Sequence, residues 1–283
     1  MNTRSAEQSS ATGAELVRLI TGRLEAERER LRHDFEQSVA QVGVRYCALD
    51  DLLPDAMAAA IYAAFPPVER MRLMDSFREK KYTSKNLKEF APLLTDITFA
   101  IQAPQVIALI GAITGIQEQV PDPSLYAGGL SSMTQGHFLG PHIDNSHDAG
   151  GKLYRTVNVL YYVTPDWSLE CGGNLELWDR GVRQNTTIVS RFNRLVVMET
   201  NPWSWHSVSS VVVPRSRCCV SNYYFSHRSP TGQPYRNVTS FSARPENKLG
   251  RALAWADGRL RQFVRLIVSS GVGRKDVYED PPR

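Results

Sequence analysis

The sequence predicts an α+β fold, with a double-layered β-core of sandwich or jelly-roll type flanked by helices. Three observations predict it. Helical apolar spacing runs through much of the first 120 residues. Residues 130–225 are a series of short strands rich in Val, Tyr, Thr and Leu, separated by Gly, Pro, Asp and Asn turns with no helix between them. After Pro245 an amphipathic helical pattern resumes.

In chain order, residues 1–12 are rich in Ser, Thr, Gln and Ala and are expected to be a poorly ordered tail. From about residue 14 to 40, Leu16, Ile20, Leu24, Leu31, Phe35 and Val39 fall at spacings of four and seven, one apolar stripe on a charged helix. A β-like piece at 42–48 follows. Pro54 and Asp55 open a second helix, with Met57, Ile61, Tyr62 and Phe65 on its inner side and Pro66-Pro67 ending it. Further helices are expected at 93–103 and 104–113, the latter closed near Gly115. Strands are expected at 130–138, 155–163, 174–178, 186–190, 194–198, 205–208 and 217–225, and a last helix at 249–270. The resulting organisation is a single domain over 13–283, with helical support at 13–120, the β-core at 121–245, and a C-terminal helix and tail at 246–283.

Composition is that of a globular protein, 42% hydrophobic and 22% charged, with a net charge of +4. The Lys and Arg residues are scattered, with no basic block interleaved with aromatics, so no nucleic-acid partner is expected. Cys218 and Cys219 are neighbours on one strand and point to opposite faces; with Cys47 and Cys171 they form no CxxC pair. Reduced thiols and a cytoplasmic location are the expectation. The polar segment 1–15 lacks the apolar core of a secretory leader, and the longest apolar stretch, 106–116, is about half of what a membrane span needs.

The chemistry concentrates at Gly140-Pro141-His142-Ile143-Asp144-Asn145. In an extended backbone residues i and i+2 point the same way, so His142 and Asp144 can bind one metal from a single face. His206, in Ser204-Trp205-His206-Ser207-Val208, is the candidate third ligand. Two His and one carboxylate on one side of an octahedral ion leave three positions open, the arrangement of non-haem Fe(II) oxygenases. His147 and Asp148 lie close by, but in a loop flanked by Gly150-Gly151 they read as rim; the spacing of His137 to His142 puts it on another face.

Over about a third of the chain, from residue 129 to 225, the sequence resembles the prolyl-hydroxylase-like branch of the Fe(II)/2-oxoglutarate-dependent oxygenase superfamily. The resemblance runs in order through five blocks: His142-Ile143-Asp144-Asn145, the strand 155–163, Gly172-Gly173-Asn174-Leu175-Glu176-Leu177, Phe192-Asn193-Arg194-Leu195-Val196-Val197-Met198, and His206-Ser207-Val208 with an Arg and an alternating strand to Tyr224. It implies a double-stranded β-helix holding Fe(II) through His142, Asp144 and His206, with 2-oxoglutarate as cosubstrate and O2 as oxidant. It also implies a basic residue soon after the distal His that binds the far carboxylate of 2-oxoglutarate, where a planar guanidinium can make two parallel hydrogen bonds. Arg215 better fits the usual spacing; Arg217 begins the strand and fits its phase, and is preferred. Tyr162 and Asn158 share a face and join the cosubstrate group, with Ser221 beside them and Tyr223 as pocket lining. Arg155 and Arg194 read as structural residues at strand starts, and Gly172 and Gly173 as turn formers.

The resemblance implies a dioxygenase (hydroxylase) that releases succinate and CO2. Halogenation is disfavoured because Asp144 fills the carboxylate position. The expected substrate is a small molecule or saccharide. One narrower candidate is an acidic sugar on a membrane glycolipid, because Trp255, Leu260, Phe263, Val264 and Ile267 lie among Arg251, Arg259, Arg261 and Arg265 as in a helix that makes peripheral membrane contact. The rival readings are a protein prolyl hydroxylase and a non-redox metal- or sugar-binding cupin-like module.

Overall fold

The computed structural model describes residues 3–126 and 128–246; the expected helix at 249–270, and the membrane contact assigned to it, lie outside the described residues. Helices α1 (Thr3–Ala26), α2 (Arg28–Gln37) and α3 (Val39–Val42) lead into strand β1 (Tyr46–Leu49). Helix α4 (Asp55–Ala63), strands β2 (Arg72–Asp75) and β3 (Glu79–Ser84), and helices α5 (Pro92–Ile101) and α6 (Pro104–Thr114) follow. The remainder is β4 (Gly129–Met133), β5 (Phe138–Ile143), β6 (Tyr154–Tyr162), β7 (Leu175–Trp178), β8 (Asn185–Ile188), β9 (Arg194–Glu199), β10 (His206–Val208), β11 (Arg217–Ser226) and β12 (Ser240–Phe241).

The strands join antiparallel in the order β1-β9-β6-β11-β4-β3-β5-β10-β7-β8, with β12 beside β5 and β2 beside β3. This ladder folds over on itself into a double-stranded β-helix. β9, β6, β11 and β4 form the broad wall, and β5, β10, β7 and β8 the narrow one. Alternation sorts the broad wall cleanly. Val157, Val159, Tyr161, Leu195, Val197, Cys218, Val220 and Tyr224 pack outward against the helices. Leu160, Tyr162, Val196, Met198 and Cys219 point inward to Leu175, Leu177 and Ile188 of the narrow wall.

The helical layer comes from the predicted stripe. Leu16, Ile20, Leu24, Leu31 and Phe35 are all buried on α5, α6 and the sheet. Val39 departs from it at 47% exposed, because the helix breaks at Glu27 and again at Ser38, turning the last position off the stripe. At the other end α1 begins at Thr3, inside the expected tail at 1–12, where Ala6, Glu7, Gln8 and Ala11 are helix formers that extend an existing helix. Among the described residues no single helix is long and apolar enough to cross a membrane; α5 and α6 pass such a test only as a pair bent by 43°.

Two strand regions escape the hydrophobic pattern. β2 and β3 form a charged hairpin within what reads as helical support, and β12 is two residues long. β3 nevertheless bridges the walls, pairing with β4 on one side and β5 on the other. A buried hub secures sheet to helices: Asn193 accepts at Oδ1 from Leu53 N and Tyr161 Oη and donates from Nδ2 to the Leu53 carbonyl.

Candidate metal centre and cosubstrate pocket

His142 is the penultimate residue of β5, His206 begins β10, and the two are direct partners in the β5–β10 ladder. That register places the imidazole centroids 4.1 Å apart. Asp144 follows two residues beyond His142, with Oδ1 at 3.5 Å from His142 Nε2 and Oδ2 at 3.6 Å from His206 Nε2. All three ligand atoms lie within 4.8 Å of one another, and among the described residues this is the only such cluster of His, Cys, Asp or Glu.

The donor set fits a divalent ion. Each imidazole places Nδ1 at 3.0 Å from a carbonyl two residues back, Gly140 for His142 and Ser204 for His206. With Nδ1–H bound to a carbonyl, Nε2 carries the lone pair and faces its partner ligands. Burial, reinforced by His142, holds His206 down at about 4, so the ring is neutral and ready to ligate at neutral pH. Burial pushes the Asp144 carboxyl up, but Arg155, His206 and His142 outweigh it and keep the group ionised, well below the ordinary carboxylate range.

Deeper inside, Arg217, Cys219, Ser221 and Tyr223 alternate along the inner face of β11, beside Asn158, Leu160 and Tyr162 of β6. Arg217 is 4% exposed. Its guanidinium carbon stands 5.4 Å from the Tyr162 ring centroid, Nη2 contacts Met133 Sδ at 2.8 Å, and Nε has no hydrogen-bond partner. The Cys219 thiol also bonds to it, and a buried guanidinium with sulfur partners and an unpaired nitrogen suits an anion. Leu160, Ser221 and Tyr223 on this inner face are partly exposed, and Asn158 on the same face bonds to Asp144. Arg215 is elsewhere: exposed, donating to the Pro165 and Asp166 carbonyls and lying over Trp167.

The Gly pair makes room for this pocket. Gly172 and Gly173 both have positive φ, and a Cβ on Gly173 would sit 3.4 Å from Arg217 Cδ and 2.9 Å from Val211 Cγ2. The turn role expected of them is present, with a second role in clearing space for the Arg217 stem.

Asn158 is on the expected face but does not face Arg217 with its amide; Nδ2 donates to Asp144 Oδ2 at 2.8 Å. Arg155, read from sequence as a strand-start residue, is 3% exposed and pairs with the same oxygen at 3.1 Å. A further set lay beyond sequence reasoning. Asn237 donates from Nδ2 to the Asp144 carbonyl, Phe241 stacks on His142 at 5.4 Å, and Arg244 forms a two-pronged pair with buried Glu176. Segment 235–244 thereby straps the loop that carries Asp144, and its short, irregular sequence carried no periodic signal. His147 and Asp148 are rim, as expected: His147 packs on Tyr154, and Asp148 Oδ1 accepts the amides of Lys152 and Leu153. His137 stacks on Tyr82, outside the metal cluster.

Residues 128–225 match the family model of the 2OG-Fe(II) oxygenase superfamily. Mouse "Prolyl 3-hydroxylase OGFOD1" is 29% identical over 77 residues, 25% of this chain and 14% of that protein's length. Similar solved structures include a Pseudomonas putida prolyl-4-hydroxylase (TM-score 0.49, 16% identity, 70% of this chain and 100% of that one). A Trichoplax adhaerens prolyl hydroxylase in complex with a hypoxia inducible factor peptide is also similar (0.48, 18%, 71% and 91%). So is HygX from Streptomyces hygroscopicus with nickel, 2-oxoglutarate and hygromycin B (0.46, 14%, 68% and 86%).

Proposed function

We propose that this chain is an Fe(II)- and 2-oxoglutarate-dependent dioxygenase that hydroxylates an unactivated C–H of a small-molecule or saccharide substrate. The observation that carries the reading is the buried His142/Asp144/His206 cluster together with Arg217, whose Nε has no partner, on the inner face from which Asn158 reaches Asp144. A metal-binding module without redox chemistry has no use for that second, anion-seeking pocket.

His142, Asp144 and His206 would hold Fe(II), and Arg217 would take the distal carboxylate of 2-oxoglutarate, with Tyr162 packed beneath the guanidinium. The bound iron, 2-oxoglutarate and O2 supply the oxidising chemistry, with succinate and CO2 as coproducts. The chain's own work is positional. Nδ1–carbonyl hydrogen bonds fix both imidazoles, and the low His206 value keeps that ring unprotonated. Tyr223, raised by burial and by the Asp144 charge, stays a neutral hydroxyl on the crevice wall. A filled carboxylate position at Asp144 favours hydroxylation over halide transfer.

A peptidyl proline is the second reading, supported by the 77-residue likeness to a prolyl 3-hydroxylase. Succinate release from Fe(II) and 2-oxoglutarate, screened against metabolite, glycan and proline-containing peptide panels, separates the two. The expected result is iron-dependent succinate formation, stimulated by a metabolite or glycan and lost in His142→Ala, Asp144→Ala and His206→Ala. Iron-dependent turnover retained in all three variants would sink the proposal.

A further inference from the structure

We propose that Arg155 and Asn158 are positioning residues of the metal centre, clamping one oxygen of Asp144 so that the carboxylate meets the ion in a single orientation. This rests on the reading of His142, Asp144 and His206 as metal ligands. Asn158 Nδ2 donates to Asp144 Oδ2 at 2.8 Å, and Arg155 Nη1 reaches the same atom at 3.1 Å. Oδ1 is left facing His142 Nε2 at 3.5 Å, while His206 Nε2 stands 3.6 Å from Oδ2. Two donors on one oxygen resist rotation of the carboxyl about its Cβ–Cγ bond, which a single donor would permit.

The backbone is built to bring both donors there. Strict alternation would send Arg155 and Asn158 to opposite faces of β6. The β6–β11 register shifts between Tyr224 and Phe225: Tyr224 pairs with Val157 and Phe225 with Arg155, so Thr156 is the extra residue of a bulge. Thr156 Oγ1 donates to the Tyr224 carbonyl and secures it. The bulge turns Arg155 inward, where its guanidinium carbon lies 4.3 Å from the Tyr223 ring centroid and 5.8 Å from that of Phe225. Its remaining contacts are slight: Nη2 reaches Asn145 Oδ1 at 3.4 Å and Nε has no partner. A cation buried to 3% exposure with its one strong contact at Asp144 is committed to that carboxylate. Outer-shell donors of this kind orient a ligand and temper its charge, and their removal typically weakens metal binding about 10–100-fold.

The test is Co(II) titration of the metal-free protein, followed by visible absorption and calorimetry. Asn158→Ala and Arg155→Gln are expected to lower Co(II) affinity about 10–100-fold. Arg155→Lys, which keeps the charge and one donor, should recover most of the loss. In an Asp144→Ala background, where the two His still bind Co(II) weakly, the same substitutions should change affinity less than about threefold. A residue with only a structural role would lower affinity equally in both backgrounds. That outcome, or an unchanged affinity in the Asp144-containing protein, overturns the proposal. If Arg155→Gln does not fold, Asn158→Ala and the similarly sized Asn158→Leu decide by the same criterion. Failure of the unmutated protein to bind Co(II) through His142 and His206 would remove the metal-centre reading along with this one. Normal binding with indifferent variants would remove this one alone.

Discussion

The Arg217 guanidinium faces the ring of Tyr162 at 5.4 Å inside the jelly roll, and its Nε has no hydrogen-bond partner among the surrounding atoms. Arg215, two residues earlier, is outside and donates to the Pro165 and Asp166 carbonyls. Removal of Arg217 should therefore weaken 2-oxoglutarate binding by on the order of 3 kcal/mol, about a hundredfold, the contribution of a charge-assisted pair in a buried site. Equilibrium binding of 2-oxoglutarate to Arg217→Ala measures it. Arg215→Ala should stay within about twofold of the unmutated protein. A reversed order of the two would assign the cosubstrate to the surface arginine.

Acid sensitivity of the metal-free protein should report on His206. Its folded-state value, about 4, lies below the ordinary histidine value because burial and His142 disfavour the cation. The unfolded chain thus binds more protons than the folded one between about pH 6.5 and 4, so stability is full above that window and falls as pH drops through it. The loss should reach on the order of 3 kcal/mol across the window. Urea unfolding of the metal-free protein at a series of pH values checks this, and His206→Gln should flatten the slope.

Gly172 should not tolerate a side chain. Its φ is +67°, and a Cβ there would stand 1.9 Å from the Ser210 carbonyl oxygen, which is backbone and cannot swing aside. Gly172→Ala should destabilise by about 4 kcal/mol or more. Gly43 supplies the control: φ is +78° but nothing lies within 4 Å of an added Cβ, so Gly43→Ala should cost only about 1 kcal/mol. Denaturation midpoints of the two variants distinguish clash from backbone strain.

Arg244→Ala should loosen the strap over the loop that carries Asp144. The substitution leaves Glu176, 5% exposed, with the Ser207 hydroxyl as a hydrogen-bond partner but no cation. The expected loss is about 2 kcal/mol, below that of a fully buried pair because Arg244 is partly exposed. Amide exchange at 240–243 should rise, since β12 pairs with β5 next to this anchor. Unchanged exchange would show that the β5–β12 pairing and the Phe241–His142 stack hold the segment by themselves.

Much was legible in the chain before any coordinate. Apolar spacing marked Leu16, Ile20, Leu24, Leu31 and Phe35 as one buried stripe, because a helix repeats its environment every three to four residues. The alternation along 155–163 and 217–225 put Tyr162, Ser221, Tyr223 and Arg217 on one inner face, because side chains in a strand repeat every two. The i, i+2 spacing of His142 and Asp144 is itself a local geometric statement. Local rules stop where the chain departs from its period or where a contact spans long sequence separations. Only the β5–β10 register brings His206 to His142, across 64 residues of chain (206 − 142). Only the bulge at Thr156 turns Arg155 onto Asp144, where its place at a strand start had read as structural. The charged β2–β3 hairpin and the strap from Asn237 to Arg244 have no periodicity to read, and their places are set by the strands and carboxylates they meet. The sequence alone singled out His142, Asp144 and His206 as the candidate ligands that the structure brings together. Tertiary structure decided which oxygen, which arginine and which orientation, because those depend on through-space distances that no local period encodes.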